Sequence, residues 1–137
     1  DYIADPRYKM EIYRRLAEME YAQRDDLLDE IIDRFGELPA EVEMLWRLAS
    51  LKGLCRLMRI RGINVRPGMI RITFGEQANV NTEVFMKLLT THKNSMIFKN
   101  GKESQLLYKT NALKEEPLKW LEKTLPLLAL GNKFNRK

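Results

Sequence analysis

The sequence contains one cysteine and one histidine among its 137 residues. Cys55 therefore cannot form a disulfide within the chain, and its position inside an apolar helical pattern is typical of a small buried side chain. His92 has no second histidine with which to form a metal site, and no nucleophile stands in an obvious relation to it, so we expect a surface residue. These scarcities argue against a disulfide scaffold and against a metal centre.

The sequence also lacks the glycine motifs that bind phosphates. Neither a GxxxxGK[ST] loop nor a GxGxxG pattern after a predicted strand is present. Carboxylates are plentiful on one predicted helix, but they lie on an open face, whereas a hydrolase needs a shielded pair with separated pKa values. We therefore predict a domain without catalytic activity and without a cofactor.

Long apolar runs are absent as well, and so is a signal-peptide pattern at the start of the chain. A single cysteine beside seven methionines suits a reducing compartment, so we expect a cytoplasmic protein without membrane contact. The length predicts one domain, residues 1–137. The start at Asp1 suggests a fragment of a longer chain, and the polar, basic residues 131–137 predict a flexible tail.

Charge, by contrast, is abundant and unevenly divided along the chain. Residues 1–45 hold 6 Lys+Arg and 13 Asp+Glu, a net charge of −7. Residues 46–137 hold the remaining 18 and 6, a net charge of +12, so that the whole chain carries +5. This division fits either two surfaces for two partners or solvated faces that partly neutralise each other within one fold.

The period of the hydrophobic pattern changes from helical to alternating after Gly62. The residues before it predict three helices, over 6 to about 21–24, over 25–35, and over 39 to about 59. The residues after it predict two β-hairpins with turns at Pro67-Gly68 and Asn100-Gly101, an intervening helix capped by Asn81, and a last helix from about Glu116. The predicted fold class is therefore α+β with a helical N-terminal half.

The second predicted helix is the most informative stretch. Its apolar residues recur at helical spacing and predict one buried face: Leu27, Leu28, Ile31, Ile32 and Phe35. Its other side carries a row of acids in which Glu30 and Asp33 are neighbours, while Asp26 and Glu37 extend the row by one turn each way. Such a row either receives arginine or lysine side chains from a partner or is simply a solvated helix back.

A structural corner follows this helix. Gly36 comes directly after the last periodic residue, where a left-handed C-terminal cap needs a residue without Cβ. Pro39 stands where the next helix can begin without a missing hydrogen-bond donor. We predict a helix–corner–helix motif whose corner is formed by Phe35, Gly36, Leu38 and Pro39.

The third predicted helix carries two apolar stripes and is expected to pack on two sides. One stripe consists of Val42, Leu45, Trp46 and Ala49. The other consists of Met44, Leu48, Leu51, Cys55 and Met58. Because Trp46 lies within a stripe, we interpret it as a core residue and not as a recognition aromatic.

The corner and the helices around it also resemble a known family. Residues 30–39 (EIIDRFGELP), preceded by residues 9–17 (KMEIYRRLA), are similar to the C-terminal domain of bacterial transcription-repair coupling factors. The resemblance implies a non-catalytic domain that packs against a UvrB-like module of the same polypeptide and masks the surface that recruits UvrA. It implies that Glu30 and Asp33 face arginine on that module. An ATP-driven DNA translocase motor, RNA polymerase and DNA would be engaged by other domains of the full-length protein.

Two alternatives to this protein-binding role remain open. The first is nucleic-acid binding through the basic half, by Arg56, Arg59, Arg61, Arg66, Arg71, Lys99, Lys102 and Lys109. The second is a purely structural cap that docks on a preceding domain through apolar surface around Trp120, although Trp120 and Leu121 fit a plain core position equally well. Competition between DNA and a protein partner would distinguish the first alternative from the protein-binding role.

Overall fold

A computed structural model describes residues 6–110 and 116–129 of the chain, and the predicted tail 131–137 lies outside these ranges. The described residues form five α-helices and a four-stranded antiparallel sheet, which confirms the α+β prediction. Contacts divide them into two compact units, one up to Leu54 and one from Cys55 onward. None of the helices in the described ranges is long and apolar enough to cross a membrane.

The first unit is helical. Its elements are α1 (Pro6–Glu18), a 3₁₀ turn (Tyr21–Gln23), α2 (Arg24–Phe35) and α3 (Ala40–Met58), the last of which continues past the unit boundary. The prediction that α1 reaches residues 21–24 was wrong. Glu20 and Gln23 instead close a tight turn, in which the Gln23 amide donates to the Glu20 carbonyl at 2.9 Å and the Gln23 side chain accepts from the Glu20 amide at 3.1 Å.

A small hydrophobic core joins the helices of this unit. Its buried members are Ile12, Leu16, Met19, Leu27 and Ile31. Around them pack the partly buried Phe35, Leu38, Trp46 and Ala49. The indole Nε1 of Trp46 donates a hydrogen bond to the Arg24 carbonyl at 2.8 Å, which ties α3 to the start of α2. The interpretation of Trp46 as a packing residue is confirmed.

Burial on α2 and α3 is narrower than the apolar pattern predicts. Ile31 is 3% exposed, whereas Ile32 is 40% exposed because it lies about 100° further around the helix. On α3, a stretch of the predicted stripes remains about two-fifths exposed, namely Met44, Leu45 and Leu48. The predicted packing on two sides of α3 was therefore wrong over this stretch, where these three side chains are not buried.

The corner between α2 and α3 forms as predicted, with a different backbone conformation at Gly36. Its amide donates to the Ile32 carbonyl at 2.8 Å, and its φ and ψ are 89° and −160°. These angles lie in an extended region that is open almost only to glycine, not in the left-handed helical region. The Pro39 carbonyl accepts from the amides of Val42 and Glu43, and α3 begins at the next residue.

The second unit contains the sheet and two helices. Its elements are β1 (Ile60–Arg66), β2 (Met69–Phe74), α4 (Thr82–Thr91), β3 (Met96–Lys99), β4 (Ser104–Lys109) and α5 (Pro117–Leu128), and the strand order is β1-β2-β4-β3. Both predicted hairpins are present. Gly68 has a φ of 81°, as a type II turn after Pro67 requires. The side chain of Asn81 accepts a hydrogen bond from the Val84 amide at 3.2 Å, which confirms the predicted cap of α4.

Helices α4 and α5 cover one face of the sheet. Phe85 of α4 packs edge-on against Phe74 at 6.2 Å and against Phe98 at 5.2 Å, measured between ring centroids. Trp120 of α5 stacks on Tyr108 at 4.6 Å and is only 5% exposed. Of the two alternatives for Trp120, the core position is therefore confirmed and the docking surface around this side chain was wrong.

Candidate functional site

The acidic side of α2 presents three exposed aspartates. Asp26, Asp29 and Asp33 are all exposed, and none of them forms an ion pair within the described part of the chain. Asp26 lies in the first helical turn, where the helix dipole favours a negative charge. The positions 26, 29 and 33 follow the three- and four-residue spacing of one helix face, so the three carboxylates project to the same side.

Glu30 belongs to the same row but has a cation partner inside the domain. The guanidinium of Arg15 on α1 donates to both carboxylate oxygens, from Nη1 to Oε2 at 2.5 Å and from Nη2 to Oε1 at 2.9 Å. The two side chains are 33% and 44% exposed, respectively. The hydrogen bond from Arg15 lowers the pKa of Glu30, and the same bond raises the pKa of Arg15. Glu30 is therefore held in place and firmly anionic.

A second cross-helix pair shows why Glu30 meets Arg15. Arg34 of α2 lies 3.6 Å from Glu11 of α1, one helical turn away from the Arg15–Glu30 pair on both helices. Advancing along α1 from residue 11 to residue 15 thus corresponds to moving back along α2 from residue 34 to residue 30, so the two helices run antiparallel. The ring contact of Tyr8 with Phe35 at 5.7 Å continues this pairing beyond the charges.

Sequence reasoning missed this ion pair, although a signal for it exists. Arg15 adjoins the buried Leu16, and Glu30 adjoins the buried Ile31, so each charge flanks the apolar stripe of its helix. Charges that flank facing stripes meet when two helices pack, as they do at the e and g positions of coiled coils. The signal becomes usable only when α1 and α2 are known to be antiparallel partners.

Contrary to the prediction, Glu37 does not extend the row of acids on α2. The helix ends at Phe35, and the glycine conformation at Gly36 redirects the chain before Glu37 is reached. Glu37 is exposed, but it stands on the corner between α2 and α3. The row on the helix itself therefore runs from Asp26 through Asp29 and Glu30 to Asp33.

An open groove of about 360 Å³ lies beside the N-terminal part of the row. Its lining residues are Arg14, Arg15, Glu18, Met19, Gln23, Asp26, Leu27 and Glu30. Asp26 and Glu30 thus line one open groove, together with the cations Arg14 and Arg15. Among the described residues, no group of three or more His, Cys, Asp and Glu is placed to hold a metal ion.

Replacing Arg15 by alanine is expected to raise the pKa of Glu30 towards its ordinary value, because the hydrogen bonds that stabilise the carboxylate are lost. The pKa is measured by a pH titration of the Glu30 side-chain carboxyl in NMR spectra. The matched control is Arg14→Ala, because Arg14 pairs with Glu18 within α1 at 3.2 Å, whereas Glu30 pairs with Arg15. An unchanged Glu30 pKa in the Arg15→Ala variant would contradict the pairing.

The same pair gives the stability of the domain a pH dependence. Because folding lowers the pKa of Glu30, the pair stabilises the fold fully above the unfolded pKa of a glutamate. This contribution is lost as the pH falls through the lower folded pKa of Glu30. Over that window the wild type should therefore lose more stability on acidification than Arg15→Ala, in denaturation curves recorded at a series of pH values.

Comparison with known proteins places these residues in a family context. The family model described as "TRCF domain" matches residues 1–85, which include the whole of α1, α2 and α3. The transcription-repair-coupling factor of Bacillus subtilis is 34% identical over 83 residues, which make up 60% of this chain and 7% of that protein. The factor of Rickettsia conorii is 30% identical over 109 residues, 79% of this chain and 9% of that protein. The chain thus spans less than a tenth of the length of these relatives.

A solved structure shares the fold. The crystal structure of a C-terminal domain of transcription-repair coupling factor superposes with a TM-score of 0.71 and covers 90% of this chain and 78% of that chain. The two sequences are 24% identical. At this level the likeness establishes the fold alone, and it agrees with the α+β architecture described above.

Proposed function

Because this chain belongs to the TRCF domain family, we propose that it is the regulatory domain of a transcription-repair coupling factor and holds a UvrB-like module of the same polypeptide closed. In this role it has no catalytic activity and no cofactor of its own. It acts in the cytoplasm as part of a longer protein whose other domains engage DNA and RNA polymerase.

The observation that carries the proposal is the exposed acidic row of α2. Asp26, Asp29 and Asp33 have no cation partner in the described part of the chain, so their carboxylates are available to a partner. A helix that presents several such carboxylates on one face is complementary to arginine, whose guanidinium binds carboxylates in a bidentate manner.

Glu30 and Asp33 form the centre of the proposed contact. They stand three residues apart, which places their Cβ atoms roughly 5–6 Å from each other on the helix surface. Arg15 fixes the direction of the Glu30 carboxylate, and each carboxylate oxygen keeps a second lone pair for an incoming donor. An arginine of the module that approaches this side of α2 can therefore bridge the two acids without breaking the Arg15 pair.

The contact regulates by competition. While the UvrB-like module is held against α2, its UvrA-recruiting surface is masked, and release exposes that surface. A tether between the two partners raises their effective concentration to about the millimolar range, so that a weak contact is sufficient. By linkage, any partner that binds the open form more tightly than the closed form promotes release.

The proposal predicts that neutralising the row increases UvrA recruitment. In the full-length factor, the double variant Glu30→Gln with Asp33→Asn should retain more UvrA in a pull-down than the wild type does, because the closed state loses its charge pairs. A control with the same change in net charge is Glu41→Gln with Glu43→Gln, which alters two exposed acids of α3. Equal UvrA retention by the wild type and the α2 variant would contradict the autoinhibitory role.

A further inference from the structure

The face of the sheet opposite α4 and α5 carries a separate array of charge. Along β2 and β4, buried residues such as Ile72 and Leu106 alternate with residues that point to the other side. Each strand contributes one exposed cation to that other side. These cations are Arg66 on β1, Arg71 on β2, Lys99 on β3 and Lys109 on β4. We call this surface the open face.

None of the described strand residues on the open face is a carboxylate. Besides the four cations, its outward-pointing strand residues are Asn64, Met69, Thr73, Ile97, Gln105 and Leu107. None of the four cations forms an ion pair within residues 6–110 and 116–129. Arg61 differs from them, because it pairs with Glu103. The open face therefore presents four positive charges that the described chain does not neutralise.

Strand pairing concentrates three of these charges. Met69 is the register partner of Arg66 on one side and of Lys109 on the other, while Arg71 follows Met69 by two residues on β2. Neighbouring strands lie about 4.8 Å apart and alternate residues of one strand about 7 Å apart. The three cations thus surround Met69 within a distance over which a nucleic-acid duplex presents several phosphates, since its charges recur about every 1.7 Å along the axis.

The placement of the charges favours phosphate over an acidic protein. Arg71 lies on an inner strand, in the row that runs from Asn64 through Leu107 to Ile97, and it is exposed. Two of the four cations are lysines, which are depleted across protein–protein interfaces but commonly contact phosphate oxygens, as arginine does. Neutral donors also flank the cations, namely Asn64, Thr73 and Gln105, and side chains of these types commonly bind phosphate oxygens.

The aromatic residues of the sheet point the other way. Phe74 and Tyr108 lie on the covered face, packed against Phe85 and Trp120. Phe98 shares that face through its pairing with the buried Leu106. No strand aromatic is thus available on the open face to stack on an unpaired base. The open face would therefore contact the phosphates and sugars of a nucleic acid and would not select a base sequence.

From these observations we propose that the open face binds the phosphate backbone of nucleic acid, as a second interaction surface independent of the acidic row on α2. The occupant is a polyanion that carries regularly spaced phosphates. Binding is expected to be weak, with a Kd of about 10⁻⁴ to 10⁻⁶ M, and to weaken steeply with salt, as for other sequence-independent contacts.

The test is the fluorescence anisotropy of a short labelled DNA duplex of mixed sequence, titrated with the 137-residue chain at several salt concentrations. The triple variant Arg66→Ala, Arg71→Ala and Lys109→Ala should weaken binding by at least about tenfold and reduce the slope of log K against log salt by about 2 to 3. Circular dichroism establishes that the variant is folded. Should it unfold, Arg66→Gln with Lys109→Gln, at the strand ends, is expected to weaken binding by at least about threefold.

A charge-matched control separates a defined face from net charge. Lys87→Ala, Lys93→Ala and Lys119→Ala remove three exposed lysines from α4, the turn after it and α5, all outside the open face. This control should bind the duplex nearly as the wild type does. Equal losses in both triple variants, or no binding of the duplex by the wild type, would overturn the proposal. Tighter binding of poly-glutamate than of the duplex, lost in the open-face variant alone, would assign the face to an acidic protein instead.

Discussion

Replacing Glu30 by glutamine and Asp33 by asparagine in one variant is expected to weaken the binding of the UvrB-like module by at least about tenfold, as truncation of charge pairs buried at an interface commonly does. Both replacements keep the shape of the side chain and remove its negative charge. The module's arginine would then lose its two anionic partners, and the glutamine would leave Arg15 without its counter-charge at the same place. Isothermal titration calorimetry of the module with this chain measures the change.

A charge-matched control and a check of folding make that result specific to α2. The variant Glu41→Gln with Glu43→Gln removes the same net charge from α3 and should bind the module nearly as the wild type does, because distant surface charges contribute little. Circular dichroism of both variants establishes that the helices remain folded. Unchanged binding in the α2 variant would show that the contact lies on another surface of the chain.

The Ile31→Ala variant is expected to lower the free energy of unfolding by about 2 to 4 kcal/mol. Ile31 is 3% exposed and belongs to the core cluster together with Ile12, Leu16, Met19 and Leu27. Its truncation removes apolar contacts between α1 and α2 and leaves a cavity that the neighbouring side chains fill only in part. Urea denaturation followed by circular dichroism measures the loss.

The adjacent isoleucine provides a matched control. Ile32 is of the same residue type and lies in the same helix, but it is 40% exposed. Ile32→Ala should therefore cost less than about 1 kcal/mol, since much of its side chain already contacts water. Equal losses in the two variants would contradict the description of which side of α2 faces the core.

The features that sequence predicted well are those set by a residue's own backbone. Gly36 and Gly68 both adopt positive φ values, which a residue with a Cβ rarely does. Asn81 caps α4 through a side chain that reaches an amide only three residues away. Interactions of this range are determined within a few residues of sequence, so the corner, the first hairpin turn and the start of α4 were predictable.

The features that sequence did not predict depend on how separate elements meet. The Arg15–Glu30 pair joins residues that are distant in sequence and arises only because α1 and α2 pack antiparallel. The exposure of Ile32, Met44 and Leu48 likewise depends on which neighbours cover each helix face. Apolar spacing identifies a face that can be buried, but not how much of it is.

The basic half shows the same distinction. Counting lysines and arginines gave a list of eight candidates without an arrangement. The strand order and register then separated Arg61, which is paired with Glu103, from the four cations that share the open face. Alternation along β2 alone places Arg71 on the other face of the sheet from Ile70 and Ile72. Bringing the four cations together on that face required the strand order and register.

The proposed regulation requires that this domain binds the UvrB-like module of its own polypeptide through α2. The most direct measurement is the calorimetric titration of that isolated module into the wild-type chain, at low and at raised salt. We expect one-to-one binding that weakens as salt increases, because the carboxylates of α2 are exposed before the module binds and salt screens their attraction for it. An absence of binding at concentrations near the millimolar range that a tether supplies would contradict it.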